Sequence, residues 1–326
     1  MAIARGNIVR EGEKGVFHVT AKCVRGAYLG GTDPSSGKSY EHRRAWILSR
    51  LKRLTEGFGV KILAYAFMPD HFHLAAWTRP DLLAACSGPD LARRWLLVSL
   101  KKPQEQISEQ FDEQDVDALA GRPEWVTEAR ERLGSLSWFM RCFNEYIARR
   151  ANKEDGYRGR FWDGRFKCQS ILDDSALLTC MAFIDLNPIR SGLAGSLEDS
   201  APAAIALRLA AAQNDSGAGD WLYPFHDQVP AGGGGDALPF NFKDYHELLE
   251  WTGGKIRAGE AGVVPENLLP LLNGLEIDPG LWLEIVRGFS RMFFLAAGKA
   301  ESMKLAAQQS NRKWLRGYKS GSRAFL

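Results

Sequence analysis

Apolar and polar positions alternate along residues 15–24, Gly-Val-Phe-His-Val-Thr-Ala-Lys-Cys-Val, a run that predicts a first strand. Gly30, Gly31, Asp33, Pro34 and Gly37 then mark a loop. From 39 to 58 the period changes, because Trp46, Ile47, Leu51, Leu54 and Phe58 fall near helical spacing. Strands are predicted at 59–67 and 71–78, joined as a hairpin through Met68-Pro69-Asp70. Helices are predicted at 81–101, 135–152 and 174–186, with a short strand at 165–171. Asn187-Pro188 ends the last of these helices, since the residue before a proline is pushed out of the α region. The order strand, helix, strand, strand, helix, strand is that of a split βαβ unit, a ferredoxin-like α+β fold. It predicts an antiparallel sheet with helices on one face and the other face open for a ligand. The helix at 174–186 follows the last strand and is placed to lie across that open face.

The pattern changes at Gln228-Val-Pro-Ala-Gly-Gly-Gly-Gly-Asp-Ala237, which has the composition of a flexible linker. This divides the chain into a main domain at 1–227, a linker at 228–239 and a helical domain at 240–326. Helices in the last are predicted at 244–251, 265–275, 281–297 and 301–318. A length of 326 residues with 45% hydrophobic content is ample for a packed core. No run of about 18 apolar residues is present, so no membrane span is expected. The N-terminal residues lack the apolar stretch of a secretory leader. The five cysteines are scattered, odd in number and without a Cys-x-x-Cys pair, as expected of reduced thiols in the cytoplasm.

A net charge of +3 does not by itself demand a nucleic-acid partner. The distribution of charge says more. Residues 140–167 hold eight basic and four acidic side chains, and residues 304–326 hold six basic and none acidic. Basic segments on a near-neutral protein suggest local contact with a polyanion, although each alone also suits a solvated helix face. In the first segment Arg149, Arg150, Lys153, Arg158, Arg160, Arg165 and Lys167 alternate with Tyr157, Phe161, Trp162 and Phe166. Cations track phosphates and aromatic faces stack on unpaired bases, while the same aromatics also suit a core.

The pair His71 and His73 carries the most specific chemistry. Two histidines one residue apart on a strand point to the same face, as chelation of one divalent ion requires, provided a third ligand comes from elsewhere. Asn187 offers an amide oxygen, a hard ligand suited to Mg²⁺ or Mn²⁺, and it shares a helix face with Phe183 four residues earlier. Half-buried strand histidines and helix-ending Asn-Pro pairs are also common without any metal. A histidine-triad hydrolase would need a further histidine at 75, where this chain has alanine.

Taken together, three motifs give a specific order: Met68-Pro-Asp-His71-Phe-His73, Gly159-Arg-Phe-Trp-Asp-Gly-Arg165 and Phe183-Ile-Asp-Leu-Asn-Pro-Ile-Arg190. With Cys23-Val-Arg-Gly-Ala-Tyr28, Tyr40-Glu-His-Arg-Arg44, Phe139-Met-Arg-Cys-Phe-Asn144 and residues 244–253, the chain resembles the REP-associated tyrosine transposases, a branch of the HUH single-strand DNA transposases. The resemblance covers nearly the whole chain apart from the linker. It implies an HUH nuclease-type sheet and a helix-borne tyrosine that attacks a phosphodiester. The products are a 5′-phosphotyrosine and a free 3′-hydroxyl, which can later rejoin DNA. His71, His73 and Asn187 would hold Mg²⁺ or Mn²⁺ to polarise the scissile phosphate. The implied partner is a palindromic DNA hairpin with an adjacent single strand, in the bacterial nucleoid. Arg190 and the basic segments would contact that DNA, with Arg312, Lys313, Arg316, Lys319 and Arg323 on a C-terminal helix gripping the stem. A monomer and a self-associated dimer are both compatible with this reading.

The chain departs from the family pattern where the nucleophile belongs. The position four residues before Asn187 is Phe183, which has no hydroxyl. Three explanations stand: a Tyr→Phe change made to trap an uncut complex, a natural cleavage-dead relative that binds hairpins, or a substitute nucleophile at Tyr146 or Tyr157.

Overall fold

The computed structural model describes residues 12–99, 111–214, 217, 219–229 and 237–326. β1 (Gly15–Lys22) is followed by α1 (His42–Gly57), β2 (Val60–Phe67) and β3 (His71–Thr78). Among the described residues five helices then lead to the fourth strand: α2 (Asp81–Ala84), α3 (Gly88–Ser99), α4 (Glu113–Ala120), α5 (Pro123–Gly134) and α6 (Leu136–Glu154), ending at β4 (Lys167–Ile171). Next come α7 (Asp174–Asp185), α8 (Asn187–Arg190), α9 (Ala204–Asn214), α10 (Phe242–Ala258) and α11 (Leu269–Gly274). The chain closes with α12 (Trp282–Met292), β5 (Ala296–Ala297), α13 (Ala300–Gln309) and α14 (Tyr318–Ala324).

The sheet order is β2-β3-β1-β4-β5. Its first four strands pair antiparallel, in the order of the predicted split βαβ unit. β5 adds a short parallel edge to β4, so the sheet is mixed. Because strand side chains alternate, the two faces separate cleanly. Phe17, Val19 and Ala21 of β1 and Phe72, Leu74 and Ala76 of β3 join the cluster built with α1 and α6. Rings interlock there, with Phe139 edge-on to Phe58 and Phe143 edge-on to Phe72.

The opposite face is covered rather than open. α7 crosses it with every residue from Ser175 to Asp185 buried, as befits a helix that is apolar nearly all round. One contiguous cluster runs from Leu63, Ala66 and Ala75 of the sheet through α7 to Leu248, Trp282, Phe289 and Phe325. Helices after 240 therefore share this core, with α12 packed directly on α7 and α10 on α8. Gly253 permits part of this approach: a Cβ there would sit 3.2 Å from both Leu186 and Ile189 side-chain carbons.

Three predicted helices come out differently. The helix at 81–101 is broken into α2 and α3 around 85–87, where Pro89 lacks an amide hydrogen and Asp90 caps the new start through Ser87. The helix at 281–297 stops at Met292, and Ala296–Ala297 pair with β4 because two edge amides of β4 find carbonyls there: Ser170 donates to Leu295 and Leu172 to Ala297. The helix at 301–318 ends at Gln309, since Asn311 has φ 53° and Gly317 has φ 106°. A Cβ at Gly317 would also lie 2.7 Å from the Phe293 ring. Arg312, Lys313 and Arg316 thus stand on a turn and not on a helix. Of the glycine-rich linker, residues 230–236 lie outside the described residues, as do residues 100–101 of the predicted helix 81–101.

Candidate functional site

Strand register assembles the site. Lys22 pairs with His71, Thr20 with both His73 and Lys167, and His18 with both Ala75 and Gln169. Directly opposed residues share a face, so His71, His73, His18 and Gln169 all belong to the face that α7 covers. His18 Nε2 lies 2.8 Å from His73 Nδ1, and His18 Nδ1 donates to Gln169 Oε1 at 3.3 Å. His71 Nδ1 sits 2.7 Å from Asp70 Oδ1, whose other oxygen faces Lys22 Nζ at 3.4 Å. The two rings of the His-x-His pair are 5.1 Å apart, edge to face.

α7 delivers Phe183 to these histidines. Its ring lies edge-on to His73 at 5.4 Å and to His18 at 5.8 Å, and Phe289 of α12 closes the far side at 5.7 Å. Arg190 folds back over it, with its guanidinium 4.0 Å from the ring centroid and Nη1 donating to the Phe183 carbonyl. Burial lowers the Arg190 pKa to about 10, helped by the nearby Arg291 charge. Burial likewise pushes His18 down to about 4 and His73 well below its ordinary value, with Arg190 adding to both. Both imidazoles are therefore neutral near pH 7, the form that binds metal. Asn187 is buried as the first residue of α8, and its side-chain amide nitrogen has no hydrogen-bond partner among the described residues.

Two imidazoles and a side-chain amide oxygen are donor types that suit a divalent ion. Asp70 and His18 engage Nδ1 of His71 and His73, the outer-shell arrangement that metal-binding histidines use. Among the described residues a separate His–carboxylate group, Glu198, His246 and Glu250, has ligand atoms all within 4.8 Å of one another. Its two glutamates are exposed.

The basic residues divide in two. Arg149 pairs with Glu145, and Arg150 donates to the Tyr146 hydroxyl while lying over Trp46. Lys153, Arg158, Arg160, Arg165 and Lys167 are exposed. Phe161 and Phe166 are core, and Trp162 is half-buried, donating to the Asn144 carbonyl. Tyr146 packs with the α1–α6 cluster on the far sheet face from His73. Tyr157 is exposed in the loop after α6. On the C-terminal turn Lys313 and Arg316 are exposed, Arg312 is half-buried, and Trp314 between them is 70% exposed.

Sequence reading missed His18, Gln169, Phe289 and Trp314. The first two were legible in principle, since pairing 15–24 antiparallel with 71–78 puts His18 on the His73 face. Phe289 was not, because it comes from a helix more than 200 residues away.

Deeper along α7, Asp185 is buried and accepts from Tyr245 Oη at 2.7 Å and from the Ile205 amide at 3.2 Å. Burial raises its pKa from 3.8 to about 7, against the Tyr245 and Ile205 hydrogen bonds and the Arg208 charge. A raised folded-state pKa contributes stability that is full below about 3.8 and lost as pH rises through about 7. Urea melts should show stability falling over that window by up to about 4 kcal/mol, and Asp185→Asn should flatten the slope. An unchanged slope in the variant would assign the pH dependence to other groups.

The fold and site define an α+β protein whose split βαβ sheet carries a His-x-His pair beneath a buried helix. No protein-family model matches the chain, and no curated protein matches it. A solved structure of a REP-associated tyrosine transposase bound to a REP hairpin is similar to it, with 13% identity, a TM-score of 0.38, and coverage of 74% of this chain and 96% of that one. At that identity and score the likeness is distant. Among the described residues no helix is long and apolar enough to cross a membrane.

Proposed function

We propose that this protein binds palindromic DNA hairpins with an adjacent single strand, through a transposase-type strand-transfer site whose nucleophile position is filled by Phe183. The observation that carries this reading is the Phe183 ring set edge-on against His73, one helical turn before Asn187. That is where an attacking hydroxyl would have to stand relative to the His-x-His pair. His71 and His73 through Nε2 and Asn187 through its amide oxygen would hold Mg²⁺ or Mn²⁺, which when bound polarises the scissile phosphate. With tyrosine at this position, its oxygen would form the bond to phosphorus as the 3′-oxygen leaves. Phenylalanine supplies no such oxygen, so this chain binds without cutting by that route. Tyr146 is a poor substitute, being engaged with Arg150 on the other sheet face.

A second reading, a hairpin-binding protein that would not cut even with tyrosine at 183, is favoured by the cover that Phe289 and Arg190 place on Phe183. Both readings share the DNA contacts. Exposed Arg158, Arg160, Arg165 and Lys167 are offered as phosphate contacts, as are Arg312, Lys313 and Arg316 on the C-terminal turn beside exposed Trp314. Gel shifts with a hairpin oligonucleotide over a range of salt test this. Each phosphate contact adds about 0.9 to the slope of log affinity against log salt. Replacing Arg312, Lys313 and Arg316 together by alanine should reduce that slope by up to about 3. Trp314→Ala should leave the slope unchanged and weaken single-strand binding by about 5- to 150-fold, the worth of one stacked base. An unaltered slope and affinity in both variants would remove the C-terminal turn from the interface.

A further inference from the structure

Three buried polar side chains from neighbouring strands form a chain behind the site: Gln169 on β4, His18 on β1 and His73 on β3. Two hydrogen bonds connect them, Gln169 Oε1 to His18 Nδ1 at 3.3 Å and His18 Nε2 to His73 Nδ1 at 2.8 Å. A carbonyl oxygen only accepts, so His18 carries its proton on Nδ1. A neutral imidazole then has its lone pair on Nε2. His73 must donate to that lone pair from its own Nδ1, which leaves His73 Nε2 unprotonated. His71 Nδ1 donates separately to the Asp70 carboxylate. Were Gln169 to present its NH₂ group, every proton in the chain would reverse and His73 Nε2 would be blocked by hydrogen.

We propose that Gln169 and His18 are positioning residues that lock His73 in the Nδ1–H tautomer, keeping its Nε2 lone pair free for a divalent cation as Asp70 does for His71. This rests on the reading of His71 and His73 as metal ligands. The bonding favours the lock for three reasons. His18 is shut between the Phe183 and Phe289 rings, so water has little access to compete. The His18 and His73 rings lie side by side with centroids 5.1 Å apart and planes within 17°, the nearly coplanar geometry that an N–H···N bond requires. Outer-shell partners of this kind set both ring tautomer and ligand direction.

The test uses the metal-free full chain labelled with ¹⁵N. Long-range proton–nitrogen correlation reads which nitrogen of His73 is protonated, and Mn²⁺ titration then follows broadening of the His71 and His73 signals. The wild type should show His73 as Nδ1–H. Gln169→Leu removes the acceptor and should convert His73 to mixed or Nε2–H forms, with Mn²⁺ affinity lowered about 10- to 100-fold. Gln169→Glu keeps an acceptor at the same place and should retain the Nδ1–H form, which separates loss of the lock from loss of fold. His73 found as Nε2–H in the wild type overturns the proposal. So does a Gln169→Leu chain that binds Mn²⁺ as tightly as the wild type. A wild type with the expected tautomer that binds no Mn²⁺ instead overturns the metal reading of the site, and with it any role for the lock.

Discussion

Phe183→Tyr is expected to yield a covalent protein–DNA adduct on a labelled hairpin oligonucleotide with Mg²⁺ or Mn²⁺, where the unaltered chain yields none. The substitution adds one oxygen to a ring already held among His73, His18 and Phe289. It leaves α7 and its packing otherwise intact. Removing the nucleophile from a covalent enzyme costs about 10⁴-fold or more in rate, so restoring it should bring cleavage from background to a readily measured level. In that background His71→Ala or His73→Ala should abolish the adduct and weaken hairpin binding only modestly, because phosphate contacts elsewhere supply most of the affinity. Labelling each end of the oligonucleotide distinguishes a 5′-phosphotyrosine from other adducts. An adduct with both chains would point to another nucleophile. Tight binding with no adduct from either would favour the hairpin-binding protein.

Trp282→Ala is expected to lower the stability of the whole chain by about 3–5 kcal/mol, in a single transition that takes the sheet with it. Trp282 is fully buried, and its indole nitrogen donates to Thr252 Oγ1 at 2.8 Å. It belongs to the cluster that continues through α7 to Leu63 and Ala75 of the sheet. A loss of this size is a large share of the ~5–15 kcal/mol that holds a typical domain folded. Denaturant curves followed by near-ultraviolet circular dichroism and by amide exchange on β1 and β3 would check it. A separate early transition confined to residues after 240, with the sheet untouched, would mean that α10 and α12 fold independently of α7.

These expectations depend on contacts that the sequence revealed unevenly. Local alternation predicts β1, β2 and β3, because each strand is β-branched or aromatic on one face and bounded by turn residues. The stretch 113–134 is polar, and its two short helices gave only a weak periodic signal. Pro89, Asn311 and Gly317 break predicted helices at points where apolar spacing alone continues them. β5 was hidden for a different reason, since two alanines gain strand geometry only from the β4 edge amides they meet.

The sequence by itself determined the split βαβ order and the shared face of His71 and His73. It also determined the absence of a hydroxyl at 183 and the placing of positive charge after α6 and near the C-terminus. Each of these follows from residue identity and a period of two or 3.6. Tertiary structure alone decided that His18 and Gln169 stand behind His73, that Phe289 closes over Phe183, and that the sheet's second face is filled. It also decided that Phe161 and Phe166 are core while Trp314 faces solvent. Those contacts join segments up to some 270 residues apart, and hydrophobic burial is non-directional. Only the packed chain selects which apolar and polar surfaces meet.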